Sequence, residues 1–411
     1  MLDELFELSR HLIRLRNRPY RRYFLRDTQL KTRCSLIAGA RGVGKTTAMI
    51  QHLVETEPQW PSSTRALYLP ADHFALGGTP LYEIARDFCT RGGTLLCIDE
   101  IHKCPNWSRD LKSMTDTFPE LRIVASGSSM MQIRKGTHDL SRRVVVYRMN
   151  GMSFREYLEL RLNTQLPVCS LETLLESHEV RAAEIVHRLD EQEEKVLGLF
   201  REYVQSGFYP YSFEVDDRRL YHITLEQNAH TAIESDLPAV HPGLSGNSIA
   251  RIKALLSVIA GSVPFTPDLA KLRRLLEISD DRTLKTYLGH LGDAGLVLAI
   301  GRESSGLKVL EKPRKIYLGD PNLAYALHPA GRPNIGNIRE TFFARSVANV
   351  HQLRATAAGD FAVEPDLVFE VGGRNKTTRQ LKDAAHGYLA LDDIDVGSGI
   401  RVPLWLFGFL Y

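Results

Sequence analysis

The residues with the most legible chemistry are Gly39-x-x-x-x-Gly44-Lys45-Thr46, a spacing of glycines, lysine and hydroxyl that suits a polyphosphate. Glycine lets the backbone wrap close to a ligand where a Cβ would collide, and backbone N–H groups then converge on the phosphates with the helix N-terminus behind them. The residues expected to line the nucleotide are Gly39, Ala40, Arg41, Gly42, Val43, Gly44, Lys45, Thr46 and Thr47. Lys45 would reach the outer phosphates, and the Thr46 hydroxyl would complete the shell of a Mg²⁺ ion. Downstream, Leu95-Leu-Cys-Ile ends in Asp99-Glu100. Asp99 would hold Mg²⁺ through water, and Glu100 would polarise the water that attacks the phosphate. Leu121-Arg-Ile-Val-Ala ends in Ser126-Gly-Ser128, whose hydroxyls could sense the terminal phosphate or orient that water; the residues do not choose between the two. Arg143, ahead of Val144-Val-Val-Tyr147, is the candidate for a charge-stabilising finger, in cis or across an interface, with a solvated strand edge as the plain alternative.

Those groups need a sheet to present them. Ser35–Ala38 reads as a buried strand, and Thr47–Val54 keeps apolar residues at helical spacing. Arg65–Asp72, Gly92–Asp99, Leu121–Ala125 and Val144–Tyr147 supply four more strands, and an apolar run ending in carboxylates is what a parallel strand delivers to its C-terminal edge. The pattern divides into a basic helical arm (1–30), a core (31–160), a helical lid or linker (161–245), a helix-turn-helix with a two-stranded wing (246–330) and a small α/β tail (331–411).

Taken together, Gly39–Thr46, Ile98–Trp107, Ser126–Ser129 and Gly151–Tyr157 resemble the predicted AAA+ superfamily ATPases of bacteria and archaea. The resemblance implies an α/β P-loop fold with strand order 5-1-4-3-2 and ATP as the nucleotide. It also implies a winged helix and a domain similar to restriction endonucleases, and it fits Arg143 to the family's arginine. In the tail, Glu340, Asp366 and Glu370 resemble the metal-binding frame of such nucleases, with Lys376 displaced from the usual lysine position, which Gly372 occupies.

Charge qualifies the choice of partners. The net charge of +3 does not by itself argue for nucleic acid, but Arg10, Arg14, Arg16, Arg18, Arg21, Arg22, Arg26, Lys31 and Arg33 crowd the first 33 residues, as a solvated face or a polyanion contact. In the winged helix, Arg282, Lys285, Tyr287 and His290 on the third helix and Arg302, Lys308, Lys312, Arg314 and Lys315 on the wing could meet DNA. A protein partner or a homo-oligomer is the other expectation. The five cysteines have no metal spacing and read as reduced thiols of a cytoplasmic protein; no apolar run is long enough for a membrane span. The closing Ile400–Tyr411 is apolar enough to predict a final packed strand.

Overall fold

Continuous apolar runs must be buried on both faces, and in the first part of the chain they become the middle of a parallel sheet. The computed structural model describes residues 1–127, 140, 142–261, 269–301, 314–328, 333–382 and 384–411. The chain divides into two compact units, Met1–Gly151 and Met152–Tyr411. The first contains α1 (Leu2–Arg16), α2 (Tyr23–Asp27), β1 (Cys34–Ala38), α3 (Lys45–Thr56), β2 (Ala66–Pro70), α4 (Leu81–Thr90), β3 (Leu95–Asp99), α5 (Trp107–Thr117), β4 (Arg122–Gly127) and β5 (Val145–Arg148). Its strands run in the order β2-β3-β4-β1-β5, the arrangement of a P-loop ATPase sheet. All four pairings are parallel, with Ala38 opposite both Gly127 and Arg148. Parallel register puts the ends of β1, β3 and β4 on one edge, where the loop, the carboxylates and Ser126 emerge.

Helices pack on the sheet because their apolar residues recur one turn apart: Leu81, Ile84, Ala85 and Phe88 on α4, and Trp107, Leu111 and Met114 on α5, are buried in one cluster. The basic composition of the N-terminus hides a core element. Leu2, Leu5 and Phe6 of α1 join the same cluster as Leu36, Leu67 and Phe88, and Tyr68 of the edge strand β2 donates its N–H to Ser9 Oγ at 3.0 Å. α1 therefore closes a sheet edge that would otherwise be open, while Leu15 near its C-terminal end is exposed.

The second unit begins with helices α6 (Phe154–Leu162), α7 (Leu171–Asp190), α8 (Val196–Ser206), α9 (Arg218–Thr231) and α10 (Leu237–Val240). A reciprocal cap starts α6: Ser153 Oγ accepts from Glu156 N, and Glu156 Oε2 accepts from Ser153 N. Next come α11 (Gly246–Gly261), α12 (Leu269–Leu275), α13 (Asp281–Asp293) and the antiparallel pair β6 (Val297–Ile300) and β7 (Lys315–Leu318). After α14 (Pro321–Leu327) and α15 (Ile335–Ala348), β8 (Leu353–Arg354), β9 (Phe361–Val363), β10 (Leu367–Gly372), β11 (His386–Leu391) and β12 (Arg401–Pro403) form a sheet of order β12-β11-β10-β9-β8. Within it β10, β11 and β12 are parallel, while β8, β9 and β10 are antiparallel.

Two expectations fail here for packing reasons. The C-terminal run is strand only through Pro403; Leu404–Phe409 then turns as a buried 3₁₀ helix, with Trp405 and Phe407 almost fully covered. Apolar residues at every position have no exposed face to alternate with, so a compact turn buries them better than an edge strand. On α13, Tyr287 and His290 point inward, leaving Arg282 exposed and Lys285 half-buried. Burial, and then the neighbouring His241 ring, hold His290 down at about 4, so its imidazole is neutral at pH 7 and offers no cation to a phosphate. Arg302, Lys308 and Lys312 lie outside the described residues.

Candidate nucleotide site

The phosphate loop joins β1 to α3, and its tight path is taken by glycines: Gly42 has φ 85° and Gly44 φ 96°, left-handed values at which a side chain is strained. Lys45 is buried and donates from Nζ to the carbonyls of Gly39 and Ala40, both at 3.0 Å, so its ammonium lies over the loop. Its Nζ is 3.9 Å from Glu100 Oε1.

Opposite the loop, Asp99 collects three hydroxyls. Thr46 Oγ1 donates to its Oδ2 at 2.6 Å, Tyr68 OH donates to the same oxygen at 2.9 Å, and Ser126 Oγ donates to Oδ1. Thr46 and Asp99 together present the hard oxygen donors that Mg²⁺ takes. Glu100 follows with a left-handed backbone, φ 51° and ψ 42°, which swings its carboxylate out of the strand line; its N–H donates to Ser126 Oγ at 3.1 Å, and Oε2 is 3.4 Å from His102 Nε2. One serine hydroxyl thus joins both acids. Ser128 lies outside the described residues.

Tyr68 and His102 enter the site unannounced. Tyr68 pairs in register with Cys97, two residues before Asp99 on the same strand face, so the topology carries its hydroxyl to the carboxylate. Burial first, and Asp99 beside it, push its phenol well above the usual range, which keeps it a donor. His102 was visible only as a histidine two residues past Glu100.

Arg143 does not reach this edge. It precedes β5, whose first residue pairs with Ser35 at the opposite end of β1 from the loop, and its guanidinium holds Asp116 at 2.7 and 3.1 Å. The in-cis finger is excluded by that register.

The tail residues assemble with one substitution. Glu340 Oε2 accepts from Tyr317 OH at 2.7 Å and lies 3.4 Å from Lys315 Nζ, which also holds Asp360 Oδ1 at 2.9 Å. Glu370 is fully buried, with Lys376 Nζ at 2.6 Å. Burial raises the carboxyls of both Glu340 and Glu370, and Asp360 raises them further. Asp366 stands apart, exposed, 3.3 Å from His386. Asp360 takes its place because the β9–β10 hairpin folds it back: its N–H donates to Phe369 O, and its Oδ2 accepts from Val371 N. Lys315, expected on a DNA-facing wing, is instead the cation of this cluster.

Sheet order and the glycine loop give the first unit the architecture of a P-loop ATPase domain. Consistent with that, residues 31–158 match the family model described as AAA domain, and residues 197–334 match one described as a domain of unknown function (DUF8612). An uncharacterized protein of Methanocaldococcus jannaschii is 29% identical over 199 residues, which is 45% of this chain and 40% of that relative, so the chain spans well under two thirds of its length. Among solved structures, the Walker-type ATPase of Pyrococcus abyssi is 12% identical with a TM-score of 0.38, over 74% of this chain and 93% of the other. The replication initiator DnaA bound to AMPPCP and single-stranded DNA is 14% identical with a TM-score of 0.26, over 65% and 84%. The Hsp104–ADP complex of Saccharomyces cerevisiae is 16% identical with a TM-score of 0.31, over 71% and 44%. No described helix is long and apolar enough to cross a membrane.

Proposed function

We propose that the protein binds Mg-ATP and hydrolyses it, with Lys45 on the outer phosphates, Thr46 and Asp99 holding Mg²⁺, and Glu100 aligning the attacking water. What supports this best is the convergence of Lys45, Thr46, Asp99, Glu100 and Ser126 on one sheet edge beside a glycine loop. Binding and turnover separate by substitution. Lys45→Ala should abolish tight nucleotide binding in a fluorescent-nucleotide titration, whereas Glu100→Gln should bind and cease to turn over in a steady-state phosphate-release assay. Turnover at the normal rate by Glu100→Gln would refute the catalytic assignment. Hydrolysis would time a rearrangement of the modules in 246–330, a winged helix in this reading, and 331–411, a restriction-endonuclease-like domain, with DNA, a protein partner or a second copy as the recipient.

A second reading, an ATP-regulated nuclease, is favoured by the grouping of Glu340, Asp360, Glu370 and Lys376, acids and a lysine of the kind that hold Mg²⁺ against a phosphodiester. Against cleavage, the Lys315 ammonium already pairs with Glu340 and Asp360.

A further inference from the structure

The stretch that ends the first unit runs against the phosphate loop at two points. At one, a Cβ on Gly39 would meet the Met149 carbonyl oxygen at 2.3 Å, so only glycine lets the loop's first residue lie against that peptide. At the other stands Arg22, 6% exposed. Its Nη1 donates to Val43 O at 2.6 Å and to Asn150 O at 3.0 Å, and its Nη2 donates to Gly151 O at 2.8 Å. Two neighbouring bonds hold the same stretch: Met149 N–H donates to Ala38 O at 2.8 Å, and Asn150 N–H to Tyr23 OH at 2.9 Å.

A guanidinium this deeply buried is costly to desolvate unless its donors are satisfied, and its rigid fork can hold several acceptors in a fixed relation. The Val43 carbonyl belongs to the peptide plane that carries the Gly44 N–H. In a planar trans peptide the two point in opposite directions, so anchoring the oxygen on Arg22 aims that N–H away from Arg22, on the other side of the strand of loop. Gly44 directly precedes Lys45 at the start of α3, where backbone N–H groups face phosphates.

We propose that Arg22 is a positioning residue for the nucleotide: through Val43 it orients the Gly44 amide, and through Asn150 and Gly151 it ties the loop's shape to residues 149–151. A nucleotide in the loop is therefore felt at the end of the first unit. This inference rests on the nucleotide-binding reading above.

The test uses the full chain with Arg22→Met and Arg22→Lys. The lysine variant keeps the charge and guards against a failure to fold, but an ammonium cannot reproduce the fork. Two measurements are made well below the unfolding temperature: affinity for a fluorescent ATP analogue with Mg²⁺, and hydrogen–deuterium exchange of residues 145–152 with and without saturating nucleotide. Folded Arg22→Lys should bind about tenfold or more weakly, and the nucleotide-dependent slowing of exchange seen in the unsubstituted chain should be lost even at saturation. A merely structural arginine would lower Tm yet leave the folded protein's affinity within about twofold and its exchange response intact; that result overturns the proposal and spares the nucleotide reading. No nucleotide binding by the unsubstituted chain overturns both.

Discussion

The Ser126 hydroxyl touches both acids of the candidate site, donating to Asp99 and accepting from the Glu100 N–H. Removing it leaves Asp99 with two of its three hydroxyl donors and frees the amide that fixes Glu100 in its left-handed turn. Ser126→Ala should therefore lower kcat by at least about tenfold, roughly 1.4 kcal/mol of barrier. Nucleotide affinity should change by less than about threefold, since neither the loop nor Lys45 touches the serine. Steady-state kinetics beside a nucleotide titration would check it, and an unchanged kcat would remove Ser126 from the chemistry. At this scale the loop, Asp99 and Glu100 were legible because each sits at a fixed offset from an apolar strand. Tyr68 was not, because it comes from a neighbouring strand and only register brings it in. Arg143 misled as an in-cis finger for the converse reason: its place along the chain fitted, but it lies at the wrong end of its strand.

Elements show where pattern reading stops. Parallel strands announce themselves as unbroken apolar runs, and the five of the first sheet fall where those runs do. A hairpin's register leaves no such mark, which is why the sequence pointed to Asp366, next to β10, and not to Asp360, which the fold delivers. The role of β7 was hidden in the same way: Lys315 reads as a wing cation, yet it bridges two carboxylates beside the last sheet. Lys315→Ala strands Glu340 and Asp360 together, 16% and 14% exposed, so they must repel or take up a proton. Unfolding in urea should show a loss of about 3 kcal/mol, largely recovered when Glu340→Gln is added to Lys315→Ala. If Lys315 keeps a metal out of the cluster, Mn²⁺ should raise the urea midpoint of Lys315→Ala and not that of the unsubstituted chain, whereas a nuclease site would bind Mn²⁺ in both. Equal midpoints for Lys315→Ala and the unsubstituted chain would show that the ion cluster carries no stability.

At the scale of the molecule, each unit has a core of its own. In the first, Leu5, Leu36, Leu67, Ile98 and Leu111 pack around the parallel sheet. In the second, aromatic rings interlock, with Phe200 and Phe342 centroids 4.8 Å apart and Phe343 and Phe407 also 4.8 Å apart. Separate cores unfold as separate cooperative blocks, and a ligand stabilises only the block that holds its site. Calorimetry should accordingly resolve two transitions, and Mg-ATP at a hundredfold excess over its Kd should stabilise one of them by about 2.7 kcal/mol. Tryptophan placement assigns the peaks: Trp60 and Trp107 belong to the first unit and Trp405 to the second. In a Trp60→Phe, Trp107→Phe protein the remaining fluorescence follows the second unit alone, and its midpoint should not move with nucleotide. Lys45→Ala should erase the calorimetric shift and leave both transitions in place, because the role proposed for the lysine is to bind phosphate and it is not among the apolar residues of either core. A Trp405 midpoint that climbs with Mg-ATP as far as the first transition does would mean that the two units melt as one, and that nucleotide binding in the loop is already a property of the whole chain.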